Sequence, residues 1–65
     1  MRLIVNGEDQ HLEAATLTEV LTLLEYEGGW LATAVNGELV HREDRAGHSL
    51  HEDDRIEVLT PLQGG

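Results

Sequence analysis

Two Asn-Gly pairs, Asn6-Gly7 and Asn36-Gly37, punctuate this 65-residue chain, and each follows a short run rich in β-branched and apolar residues. That dipeptide favours a two-residue type I′ turn, because both central positions need φ > 0. Residues 1–5 therefore read as a strand that turns at Asn6-Gly7 into a second strand over 8–14. In the return strand Gln10, Leu12 and Ala14 share one face, opposite Asp9, His11 and Glu13. The apolar content of that face is modest, which marks an edge strand. By the same reasoning residues 31–35 form a strand, turn at Asn36-Gly37, and continue as a short strand over 38–41.

Between the hairpins the period changes. Thr16-Leu17-Thr18-Glu19 has the capping-box pattern of a helix start. Leu17, Val20, Leu21 and Leu24 then recur at helical spacing and form one apolar stripe, with Glu19, Thr22 and Glu25 facing outward. Gly28-Gly29 supplies a stop, so the helix is expected over 17–27. Residues 42–54 are polar and loop-like, with Ala46 and Leu50 as the two positions expected to pack. Asp53-Asp54 turns the chain into a last strand over 55–59, with Ile56 and Val58 on one face and Glu57 and Leu59 on the other. Strand, strand, helix, strand, short strand, strand is the order of an α+β two-layer fold.

Composition narrows function. A chain this short has a thin core, and there is no Cys to supply a disulfide or a thiolate metal ligand. Trp30 and Tyr26 are the only aromatics, so Leu, Val, Ile and Ala make the core. Such a core leaves no room for an enclosed substrate pocket, which argues against an independent enzyme. The formal charge of −9 disfavours nucleic acid and anionic membranes as partners and suits docking onto a basic protein surface. No apolar run is long enough to span a bilayer. The N-terminal apolar run is too short for a signal peptide, and a cytoplasmic setting is the default expectation.

The sequence closes on Thr60-Pro61-Leu62-Gln63-Gly64-Gly65. Glycine has no Cβ, so such an end passes through a slot that rejects side chains, and Gly65 carries a carboxylate at its tip. The plain alternative is a frayed terminus. The division expected is a domain over 1–60 and a flexible tail over 61–65.

Element order and tail together resemble the ubiquitin-like β-grasp sulfur carriers of the ThiS/MoaD superfamily, and more narrowly the ThiS type of thiamine biosynthesis. The likeness covers essentially the whole chain. It rests on Met1-Arg2-Leu3-Ile4-Val5-Asn6-Gly7, Thr16-Leu17-Thr18-Glu19-Val20-Leu21, Ala34-Val35-Asn36-Gly37-Glu38-Leu39-Val40, Arg42, and the closing segment from Arg55 to Gly65. Two positions depart from the pattern: Glu52-Asp53-Asp54 stands where Asp-Gly-Asp is common, and Leu62 where a β-branched residue is.

The resemblance implies a mixed four- to five-stranded sheet on one main helix. It implies that a ThiF-like adenylyltransferase, using ATP and Mg, activates the Gly65 carboxylate. A sulfur donor such as a cysteine desulfurase then supplies the sulfur, and the thiocarboxylate passes it to a ThiG-like thiazole synthase. Pro61, Leu62, Gln63 and Gly64 would enter partner active sites, and the carrier itself would hold no cofactor, metal or catalytic residue. Leu39, Leu59 and Leu62 read either as an apolar patch leading to the tail or as ordinary scattered surface leucines. Carriers of this kind dock through one sheet face, which makes Leu39 and Leu59 candidate docking residues. Trp30 has two readings, docking anchor or cap on the core. The competing functions are a MoaD-like molybdopterin-synthase small subunit and a non-catalytic β-grasp interaction module.

Two further patterns invite sharper readings. His48-x-x-His51 has ligand-like spacing but lies in an expected loop, so surface histidines are the better reading, as they are for His11 and His41. Glu52-Asp53-Asp54 lacks the full pattern of a calcium loop and reads as a solvated turn.

Overall fold

The computed structural model describes residues 1–26 and 30–60. The strands are β1 (Arg2–Val5), β2 (Glu8–His11), β3 (Ala32–Val35), β4 (Glu38–Val40) and β5 (Arg55–Leu59). They form one sheet in the order β2-β1-β5-β3-β4. The central pair β1 and β5 is parallel, and all other neighbours are antiparallel. Helix α1 (Leu17–Leu23) and a 3₁₀ helix (Arg42–Gly47) supply the helical parts. β2 is an edge strand, as its weak apolar face implies, but it ends at His11 and not at residue 14.

Both Asn-Gly pairs adopt the expected turn: φ is +50° and +83° at Asn6 and Gly7, and +53° and +85° at Asn36 and Gly37. The α1 start is also as expected in kind. Thr16 Oγ1 accepts from Glu19 N–H at 3.3 Å. Glu19 Oε1 accepts in return, at 2.6 Å, from the N–H of Ala15, one residue before the cap.

The helix stop differs from expectation. α1 ends at Leu23, and Leu24 is its C-cap. Glu25 then takes a left-handed φ of +64°. Its N–H donates to the Thr22 carbonyl (3.1 Å), and Tyr26 N–H donates to the Leu21 carbonyl (2.9 Å). This bond pair is a Schellman cap. A non-glycine residue closes the helix because Tyr26 packs against the core one residue later, and that contact fixes the chain reversal. Gly28-Gly29 lies outside the described residues.

The core sits between the inner sheet face and α1. Leu3, Val5, Val35, Val40, Ile56 and Val58 from the strands are buried with Leu17, Val20 and Leu21 of the helix and with Ala14, Leu31 and Leu50. Leu24, the last member of the helical stripe, packs partly against it. Ala46 is exposed, contrary to expectation; Arg45 beside it is the buried residue, at 6% exposure. A 3₁₀ turn repeats about every three residues, so register alone did not show which of the two faced inward. Arg45 Nε donates to Thr33 Oγ1 (3.0 Å), its Nη2 donates to the Leu31 carbonyl (2.6 Å), and Thr33 Oγ1 donates to the Val40 carbonyl (2.8 Å). The guanidinium thus fastens the 3₁₀ helix to β3.

Candidate functional site: an apolar patch where the last strand ends

With the inner face buried, the opposite sheet face is the available surface. Strand alternation places Glu57 and Leu59 of β5 there. Pairing carries the row outward: Ala34 lies opposite Glu57 on one side and Leu39 on the other, and Ala32 lies opposite Leu59. Ala32, Thr33, Ala34, Leu39, Glu57 and Leu59 line a shallow groove of about 50 Å³. Pockets that enclose a small-molecule substrate run to roughly 300–1,000 Å³, so this groove fits a side-chain tip and not a metabolite. Leu39 and Leu59 are 63% and 66% exposed. Both are large apolar side chains lining one groove, Leu59 at the end of the strand that leads through Thr60 into the tail and Leu39 across β3 on β4.

The same end carries Trp30, two residues before Ala32. At 79% exposure it is not part of the core, which removes one of its two readings.

Two features fix β5, and so the point from which the tail departs. Beyond the short parallel pairing of β1 with β5, Asn6 extends the contact with its side chain. Asn6 Oδ1 accepts from Val58 N–H (2.9 Å), and its Nδ2 donates to the Val58 carbonyl and the Tyr26 hydroxyl (3.3 Å each). On the other side Asn36 Oδ1 accepts from Arg55 N–H (3.0 Å), and its Nδ2 donates to Asp54 (2.9 Å). The turn residues of both hairpins therefore clasp the last strand.

The far end of the open face is ionic. Arg2 pairs with Asp9 (3.2 Å) and Asp53 (2.6 Å). The Asp9 hydrogen bond and charge, followed by those of Asp53, raise the Arg2 pKa and hold its charge more firmly. Glu52 accepts from Arg2 N–H at 3.0 Å. Asp53 takes a φ of +70°, so it fills the left-handed position where glycine is common. Burial would push the Asp54 carboxyl up, but hydrogen bonds from the Asn36 amide and His51 N–H, aided by His51 and His48, together hold it below the usual range. Each acid of this turn has a structural partner, as the turn reading requires. No group of three or more His, Asp or Glu poised for a metal occurs among the described residues. No described helix is long and apolar enough to cross a membrane.

Pro61, Leu62, Gln63, Gly64 and Gly65 lie outside the described residues. Their identification rests on sequence, and there the comparison with known families decides. The model of the ThiS family matches residues 3–65, the diglycine included. The chain belongs to the ThiS family.

Solved structures agree. A crystal structure of the thiamine biosynthesis protein ThiS from Geobacter metallireducens is 29% identical, with a TM-score of 0.82 and full coverage of both chains. An NMR solution structure of a thiamine biosynthesis protein from the same organism is likewise 29% identical at a TM-score of 0.82, covering all of this chain and 88% of that one. No curated protein matches the sequence. The β-grasp fold expected from element order is thus the fold of this ThiS-family chain, with five strands.

Sequence reasoning placed Leu39 and Leu59 on one exposed face and Asn6 in a turn, but did not single out the Asn6 side chain's hold on Val58, nor Arg45 or Glu57. For Glu57 a signal was present: it alternates with Ile56 and Val58 and so shares a face with Leu59. For Asn6 and Arg45 there was none, because their partners lie 52 and 12 residues away in sequence.

Proposed function

We propose that this chain is the sulfur carrier of thiamine biosynthesis, and that its reactive group is the Gly65 carboxylate. The observation that carries the reading is the ThiS-family match through residue 65, on a domain whose groove beside the last strand is too small for a metabolite. A free carboxylate is a poor electrophile. Attack of a Gly65 oxygen on the α-phosphorus of ATP expels pyrophosphate and leaves an acyl adenylate. A partner's cysteine persulfide then attacks the carbonyl carbon and AMP departs, leaving an acyl disulfide whose S–S bond a thiol reduces to release the thiocarboxylate. A ThiF-like adenylyltransferase with Mg supplies the catalysis, and a cysteine desulfurase is a suitable sulfur source. Any persulfide or disulfide on the route uses a partner's cysteine, since this chain has none. A ThiG-like thiazole synthase is the acceptor.

In this reading the domain and the tail divide the labour. The domain stays outside its partner and docks by the apolar patch. Residues 60–65, at roughly 3.3 Å each, span about 20 Å into the active site. Gly64 and Gly65 pass the narrowest part, while Pro61 limits the unbound chain and so lowers the ordering cost of insertion. The chain is then a co-substrate and not an enzyme, in the ATP-supplied cytoplasm.

Incubation with ATP, Mg, the adenylyltransferase, a sulfur donor and a thiol reductant, followed by intact mass measurement, tests this. The expected product has one oxygen replaced by sulfur, and removal of Gly65 abolishes it. An unchanged mass with several competent adenylating enzymes would sink the reading. Sulfur delivery to molybdopterin synthase in preference to thiazole synthase would move the chain to the other carrier branch.

A further inference from the structure

We infer that Glu57 is a specificity-determining residue of the docking patch, and that the patch fits a partner presenting a Lys or Arg beside an apolar side chain. The inference rests on the sulfur-carrier reading. Glu57 lies in the groove with Leu39, Leu59, Ala32 and Ala34, the only ionisable group among its lining residues. Among the described residues no Arg or His lies within ion-pairing distance of it. The chain has four Arg and no Lys. Arg2 is held by Asp9 and Asp53, and Arg45 is buried on the other side of the sheet. Neither Arg55, two residues along the same face, nor Arg42 of the 3₁₀ helix forms an ion pair with Glu57.

In the free carrier, water solvates this carboxylate at little cost. Docking by Leu39 and Leu59 expels that water, and a carboxylate left unpaired in an apolar contact is strongly unfavourable. A purely apolar partner surface is therefore rejected, and one that offers a cation at this point is accepted. The overall charge of −9 draws basic surfaces from a distance, but it does not choose among them. Glu57 makes that choice at contact, because it is the charge that becomes desolvated.

The test uses the full-length chain, ATP and the adenylyltransferase of the pathway, with pyrophosphate release followed against carrier concentration. Glu57→Gln keeps size and removes charge. It is expected to raise KM on the order of 10-fold, leave kcat unchanged and flatten the dependence of KM on salt. Glu57→Lys is expected to raise KM further, by roughly 100-fold. Glu8→Gln on β2, outside the groove, changes the net charge equally and is expected to leave KM within about 2-fold. Circular dichroism of each variant establishes that it is folded. A Glu57→Gln variant with wild-type KM and salt dependence overturns the inference, as does an equal effect of Glu8→Gln. If the wild-type chain is not adenylated at all, the carrier reading itself fails. Normal adenylation of both the wild type and Glu57→Gln sinks only the role of Glu57.

Discussion

The two ends of the open sheet face use the same backbone in opposite ways. At one end Leu39, Leu59, Ala32 and Ala34 leave an apolar surface around a lone carboxylate. At the other, Arg2 pairs with both Asp9 and Asp53, and Glu52 and Asp54 cap backbone amides. The ionic end is satisfied within the chain and has little to gain from a partner. The apolar end gains most of what it lacks from contact: removal of its leucines from water and a cation for Glu57. Exposure alone does not distinguish them, since both ends are largely exposed. Whether the exposed groups already have partners does.

The largest effect in this comparison is expected from the double substitution Leu39→Asp and Leu59→Asp. It should weaken binding to the adenylyltransferase by roughly 100-fold or more, by calorimetric titration, while the Tm moves little because neither side chain is in the core. A large loss of Tm instead would make these leucines structural and erase the contrast.

Asn6→Gly is next. Glycine accepts the positive φ of the turn, so the substitution isolates the side-chain clasp on Val58. It should cost about 1–2 kcal/mol in urea unfolding and speed amide exchange at Val58. Unchanged exchange would mean that backbone pairing alone fixes the end of β5.

Asp54→Asn probes the ionic end through pH. The folded-state pKa of Asp54 is lowered, so its contribution is present above the unfolded pKa of about 3.9 and is lost as pH falls through the lower folded value. The variant should therefore lose stability near neutral pH and show a shallower decline on acidification than the wild type. A parallel acid limb in both would remove Asp54 from the account.

The smallest effect belongs to Arg2→Ala. Exposed ion pairs contribute little, so adenylyltransferase binding should stay within about 2-fold and the Tm should shift slightly downward, less so in high salt. A binding loss like that of the leucine variant would extend the docking surface across the whole face.

Local signals carried most of the fold. The Asn-Gly pairs specified both hairpins because a left-handed pair of φ angles is a two-residue property. The capping box located the start of α1 to the residue, and alternation in β5 separated Ile56 and Val58 from Glu57 and Leu59. Signals failed where a competing contact lay elsewhere. The helix ended at Leu23 and not at the glycines, because Tyr26 found the core and Glu25 absorbed the strain. β2 stopped at His11, and a 3₁₀ helix with buried Arg45 replaced the loop in which Ala46 was expected to pack.

By itself, then, the sequence determined the hairpins, the helix start, the aliphatic core and a family pattern that runs to the diglycine. Each depends on neighbours within a few residues or on the motif as a whole. Tertiary structure alone decided that β1 and β5 lie side by side and that Asn6 clasps Val58. It also decided that Arg45 spans to Leu31 and that Glu57 stands unpaired in a groove it shares with two leucines. Those outcomes turn on which distant groups meet, and a hydrogen bond or an empty ionic partnership between residues far apart in the chain leaves no periodic trace in the sequence.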